Sequence, residues 1–174
     1  MGCVMQVGEQ SLNIGRNAVL AAGWPDEVPS TTIDRQCGSS QQSMHFAAQG
    51  VMAGAYDVVV AAGVEVMTRT PMGASIVQGM GFPFPQEQLD RSAETGLPPQ
   101  GIGADMIAVE YGLTREDLDE FGALSQQRAA VARDEGRFEN ELIPIEVEID
   151  GQTEVVKSDE GIREGTTGET LAKL

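Results

Sequence analysis

Residues 31–63, TTIDRQCGSSQQSMHFAAQGVMAGAYDVVVAAG, place one cysteine, Cys37, between a β-branched run and a long series of small and apolar residues. Thr31, Thr32 and Ile33 favour an extended chain, while Ser39 supplies a cap followed by good helix formers. The chain is therefore expected to pass from strand to helix near Cys37. A cysteine at a helix N-terminus meets free N–H groups and the positive end of the helix dipole, which favour the thiolate and make the sulfur a better nucleophile. Gly38 beside it lets a substrate carbonyl approach closely. A buried, inert thiol is the alternative that the spacing leaves open.

Downstream of the cysteine, SSQQSMHFAAQGVMAGA reads as a buried helix and DVVVAAGVE as a buried strand without alternation. Strand, helix and strand make a β-α-β unit. Parallel strands of this kind are covered on both faces, and ligand sites lie at their C-terminal ends, which is where Cys37 falls. Upstream, SLNIGRNAVLAAG has a candidate cap at Ser11, apolar residues near helical spacing and a stop at Gly23, so an amphipathic helix is expected.

A chain of 174 residues with 41% hydrophobic content is expected to bury one substantial core. Its 27 acidic and 11 basic residues give a formal net charge of -16, which opposes binding to phosphate backbones and anionic lipid. Nucleic acid and membrane partners are not expected. Two cysteines without a C-x-x-C pair and one histidine cannot form a conventional structural zinc site, and no metal is expected. No apolar run reaches the roughly 20 residues of a membrane span, and the first residues lack the basic and hydrophobic stretches of a secretory signal. The sequence therefore reads as cytoplasmic.

Composition changes after Met67. The stretch TRTPMGASIVQGMGFPFPQEQLDRSAETGLPPQG is rich in Gly and Pro and far longer than the common connection of about 4–6 residues, the mark of a functional or interface loop. Helical pattern resumes at IGADMIAVEYG. Thr114 and Asp117 then form a capping-box variant that opens the longest helix, with Arg128 and Arg133 toward its end as a solvated face that complements the dipole. NELIPIEVEID alternates at period two and can pair with TEVVKS across the DGQ turn as a β-hairpin. The first residues read as a strand without the elements a parallel sheet needs before it, and ETLAKL stops within a helix, so a fragment is expected.

These residues resemble the thiolases, acetyl-CoA acyltransferases. The stretch from GCVMQVGEQ through CGSSQQSMHFAAQG to VAAGVEVMTR is similar to the thiolase segment around the acyl-accepting cysteine. LTREDLDEFGALSQQRAAVARDEGRFENELIPIEV and SDEGIREGTTGETLAKL resemble parts of the thiolase loop domain. The resemblance implies an α/β protein with the layered α-β-α-β-α thiolase fold, residues 1–67 being part of the N-terminal core and 68–174 the loop domain. It implies that Cys37 takes an acyl group from a 3-ketoacyl-CoA and passes it to coenzyme A, or the reverse Claisen condensation, by covalent catalysis. It places Arg163 near the adenine nucleotide of coenzyme A, with Thr170 beside it, and PPQGIGAD along the pantetheine path. Coenzyme A would be a co-substrate, with no permanently bound cofactor, and the complete protein a homodimer or homotetramer. Without the resemblance, an ion pair of Arg163 with Asp159 or Glu160 is the plainer reading.

Two departures qualify the resemblance. The family usually reads C-G-S-G, and the last position here is Ser40. The family's G-H-P, N-E-A-F and C-x-G-G-G motifs do not occur in these residues. His45 cannot replace the missing histidine, since eight helical residues set it about 12 Å along the axis from Cys37. The chain is therefore expected to be nearly inactive alone. A decarboxylating ketoacyl synthase is argued against by SDEGIREGTTGETLAKL. A non-catalytic module that docks a partner through positions 68–99 is the reading from another class.

Overall fold

The structure, a computed structural model, describes residues 1–174. The chain divides into two compact units, Met1–Arg91 and Ser92–Leu174.

In the first unit the organising feature is a short parallel ladder of three extended segments. Gly2 bridges both Ile33 and Gly63, so the opening residues lie between the segments that precede and follow the helix after Cys37. The Gly2 N–H donates to Ala62 O at 2.7 Å and Val64 N–H to Gly2 O at 3.0 Å. On the other side, Cys3 N–H donates to Ile33 O at 3.0 Å and Ile33 N–H to Met1 O at 2.9 Å. The expected β-α-β connection is present, with its two flanking segments parallel and one segment apart, although the ladder is too short to count as regular strands.

Helix α1 runs Ile14–Ala21 and ends, as read, before Gly23, whose φ of 71° supplies the left-handed turn that stops a helix. Its start differs from expectation. The N-cap is Asn13, and the Ser11 hydroxyl donates instead to Gly8 O at 2.6 Å. The Asn13 amide reaches across to Ser30 O at 2.7 Å, which fastens α1 to the extended segment. Helix α2 runs Ser39–Met52. Beyond the ladder, residues 68–91 form turns and a short helix α3, Gln86–Arg91.

Burial corrects three expectations. Only Cys3, Ala108 and Ala123 are buried apolar side chains, so no substantial core forms. Helix α2 is not buried, with Phe46 half exposed and only Ser39 and Ser43 inside. Val58 and Val60, expected inside, are 88% and 62% exposed. An apolar run states that a segment can be covered on both faces, but the cover must come from other elements. Here α1, α2 and Val58–Ala62 enclose an open apolar depression of about 890 Å³ instead of a filled interior.

The second unit is helical with one hairpin. Helix α4, Gln100–Tyr111, closes at Gly112 in the left-handed conformation, and α5, Arg115–Asp134, opens with the expected box. Thr114 N–H donates to Asp117 Oδ2 at 2.8 Å and Asp117 N–H to Thr114 Oγ1 at 3.2 Å. These bonds from Thr114 hold the Asp117 carboxyl below its ordinary range. Strands β1, Ile145–Ile149, and β2, Gln152–Val156, pair antiparallel across Asp150–Gly151, both at positive φ, the signature of a type I′ turn. The short helix α6, Gly168–Leu171, rests on α5, where Arg115 joins Asp119 at 2.8 Å and also donates to Leu171 O.

Candidate active site

The turn carrying Cys37 is built from backbone bonds on both sides. Gly38 N–H donates to Arg35 O at 3.0 Å, closing Arg35–Gly38, and Gln42 N–H donates to Gly38 O at 2.9 Å, opening α2. Gly38 is the N-cap, with no side-chain cap bond. The expected cap at Ser39 is therefore corrected: Ser39 is the first helical residue, and its buried hydroxyl donates to Arg35 O at 2.9 Å and accepts from Arg35 N–H at 3.0 Å. Cys37 precedes the helix by two residues, is solvent-exposed, and has a φ of 59°. Positive φ is uncommon for a side-chain-bearing residue and costs energy that the surroundings must supply. The first-turn N–H groups of α2 lack carbonyl partners within the helix, as at any helix start, and lie at the positive end of its dipole.

The floor beneath this turn depends on two glycines. A Cβ on Gly2 would collide with the backbone of Ser39 and Ser40, and one on Gly63 with the Ser40 hydroxyl. Helix α2 thus starts directly against the ladder. The departure at Ser40 is accommodated because Gly63 leaves room for its hydroxyl. Ser43 ties the helix down, donating to Ser40 O at 2.7 Å and lying 3.0 Å from Ala62 O.

A buried polar cluster braces the same floor. Gln10, 1% exposed, donates to Met5 O at 2.8 Å and to Glu65 Oε1 at 2.9 Å, and accepts from Val66 N–H at 2.6 Å. Glu65 also accepts from Val4 N–H at 2.7 Å and Met5 N–H at 3.2 Å. Partial desolvation pushes the Glu65 carboxyl up, but the Val4, Gln10 and Met5 donors outweigh it and hold the group below the ordinary carboxylate range. Cys3 shows the reverse. Burial, then the charges of Glu65 and Asp34, push its thiol up, so it stays protonated. Reading the sequence missed Gln10, Glu65 and Ser39 as supporting residues; a lone carboxylate closing an apolar run was the available signal for Glu65.

Arg163 and Thr170 belong to the second unit, Cys37 to the first. Arg163 is exposed and forms none of the ion pairs, so pairing with Asp159 or Glu160 is not what holds it; its N–H donates to Gln126 Oε1 at 2.7 Å. Arg133 instead takes Glu164 and Asp134, each at 2.7 Å. The Thr170 hydroxyl is committed to the cap of α6, donating to Thr167 O at 2.9 Å and accepting from Thr167 N–H at 2.9 Å. His45 is exposed on α2.

All of residues 1–174 match the family described as thiolase, N-terminal domain. The chain belongs to the thiolase family. It is 41% identical over 174 residues to a 3-ketoacyl-CoA thiolase of Saccharophagus degradans, covering 99% of this chain and 43% of that protein. It is 42% identical over 171 residues to the steroid 3-ketoacyl-CoA thiolase FadA6 of Mycobacterium tuberculosis, covering 95% of this chain and 41% of that protein. The dimeric peroxisomal thiolase of Saccharomyces cerevisiae superposes with a TM-score of 0.80 at 32% identity, over 99% of this chain and 43% of that one. An acetyl-CoA acetyltransferase of Syntrophomonas wolfei superposes with a TM-score of 0.77 at 28% identity, over 99% of this chain and 45% of that one. The fold is therefore that of thiolases, and the chain spans less than half the length of these relatives. No helix is long and apolar enough to cross a membrane.

Proposed function

We propose that this chain carries the nucleophile of a thiolase, an acyl-CoA C-acyltransferase, and that Cys37 is that nucleophile. The observation that carries the reading is an exposed thiol held at positive φ at the start of α2, at the C-terminal end of a parallel segment. In this reading the Cys37 thiolate adds to the 3-keto carbonyl of a 3-ketoacyl-CoA. The bond between the α and β carbons then breaks, and its electron pair leaves on the enolate of acetyl-CoA, which takes up a proton. The acyl group is left as a thioester on Cys37, still activated for transfer to the thiol of a second coenzyme A. The first-turn N–H groups of α2 favour negative charge near the sulfur.

Arg163 supplies a local positive charge toward the phosphates of coenzyme A that the chain as a whole lacks, with Thr170 beside the adenine nucleotide. Coenzyme A is a co-substrate in this reading, and no resident cofactor takes part. Residues 1–67 act as core and 68–174 as loop domain. Homo-oligomers are expected by analogy with the dimeric yeast relative. The acidic balance argues against nucleic acid and anionic membrane partners, and two free thiols suit the reducing cytoplasm.

Incubation with labelled acetyl-CoA tests the reading. Label that hydroxylamine removes, and that a Cys37→Ala variant does not acquire, supports it; equal labelling of that variant contradicts it. A second reading, a non-catalytic docking module, is favoured by the exposure of Met72, Met80 and Phe82 at 80%, 82% and 65%. Capture of a partner chain by a Cys37→Ala variant, without any acyl label on the native chain, would favour that reading.

A further inference from the structure

The position of Cys37 in its turn raises the question of what holds it there. The bond from Gly38 N–H to Arg35 O does not choose, because that bond is common to turns whose third residue has negative φ and turns in which it is positive. Rotation of the peptide unit between Gln36 and Cys37 interconverts the two. The group that holds that peptide unit is the Arg35 side chain, whose Nη1 donates to Gln36 O. The same guanidinium lies across Gly38, where an added Cβ would sit 3.4 Å from Nη1 and from Cδ. Arg35 is itself fixed at its backbone. The Ser39 hydroxyl bonds both its N–H and its carbonyl, at 3.0 and 2.9 Å, and Ser39 is 6% exposed.

We propose that Arg35 and Ser39 are positioning residues: Arg35 holds the Gln36 carbonyl so that Cys37 stays at positive φ, and Ser39 holds Arg35. The pair sets the direction of the Cys37 sulfur relative to the first turn of α2 without touching a substrate. The functional meaning rests on Cys37 being the nucleophile, but the conformational claim does not.

The test is nuclear magnetic resonance of the intact chain with labelled cysteine, reading the Cα shift and the amide–Hα coupling of Cys37. The native chain and Arg35→Lys, which keeps a donor, are expected to hold Cys37 at positive φ. Arg35→Met keeps the stem without the donor, and Ser39→Ala removes the hydroxyl without changing charge. Both are expected to move Cys37 to negative φ or to a mixture, and to change its rate of alkylation by iodoacetamide by about fivefold or more. The buried Cys3 serves as internal control, since a general loosening of the fold would raise its rate too. Cys37 remaining at positive φ in both variants overturns the proposal, as does negative φ in the native chain. If a variant does not fold, amide exchange in the native chain decides. The Arg35 N–H is expected to exchange at least about tenfold more slowly than those of Gln36 and Cys37, and equal rates overturn the proposal. Failure to acquire acyl label, with these conformational results intact, would count against the nucleophile alone.

Discussion

The two cysteines stand on opposite sides of one ladder contact and live under opposite conditions. Cys3 is fully buried, its N–H is bonded to Ile33 O, and burial with nearby carboxylates keeps its thiol protonated. Cys37 follows Ile33 by four residues, is exposed, and sits in a conformation that its side chain disfavours. Around Cys3 no buried side-chain nitrogen or oxygen is left unpartnered. The difference teaches how strain can be maintained. A rigid, fully bonded floor made by Gly2, Gln10 and Glu65 supports a turn that is costly by itself, and the cost falls on the residue with the candidate chemistry.

The comparison can be broken most severely at the floor. Gly2→Ala puts a Cβ into the backbone of Ser39 and Ser40, a collision no rotamer relieves, and should lower stability by about 3 kcal/mol in denaturant titration. Gln10→Ala strips partners from Val66 N–H, Met5 O and Glu65 and should cost about 2 kcal/mol in the same measurement. The turn should respond with the opposite sign. Cys37→Gly, which relieves the positive φ, should stabilise the chain by about 1 kcal/mol relative to Cys37→Ala, which does not. If both variants are equally stable, the turn stores no strain and the contrast with the floor disappears.

The smallest expected effect is a pH dependence that belongs to the floor alone. The folded Glu65 carboxyl titrates below its unfolded value of about 4.3. Its carboxylate therefore stabilises the fold fully above that pH, and the contribution disappears as pH falls through the folded value. The difference in melting temperature between the native chain and Glu65→Gln should shrink from pH 6 toward pH 3. A difference that is constant with pH would mean that the Val4 and Met5 donors do not favour the charged form.

Much of the local structure was legible in the sequence because its causes are local. The Thr114–Asp117 box, the Asp150–Gly151 turn, the stop at Gly23 and the passage from extended chain to helix around Cys37 each depend on a few neighbouring residues. Burial was not legible in the same way. Val58 and Val60 carry the pattern of a covered strand, yet they are exposed, because cover depends on what packs against a strand and not on its own pattern. The supporting side chains were hidden for a related reason. Ser39 looks like a helix cap in sequence and becomes a turn clamp only when Arg35 folds back over Gly38. Gln10 looks like a surface amide until Glu65, 55 residues away, meets it. Family resemblance alone singles out Arg163 and Thr170, and the Thr170 hydroxyl completes the capping box that Thr167 opens on α6.

The most direct test of the account follows both thiols in one experiment. The chain is incubated with acetyl-CoA, digested with trypsin, and its peptides weighed by mass spectrometry. Cleavage after Arg16, Arg35 and Arg69 separates Cys3 from Cys37. An acetyl group on the peptide that begins at Gln36, removable by hydroxylamine and absent from the peptide that ends at Arg16, is the expected result. Acetylation of Cys3 in preference to Cys37 would contradict the assignment of Cys37 as the acyl acceptor.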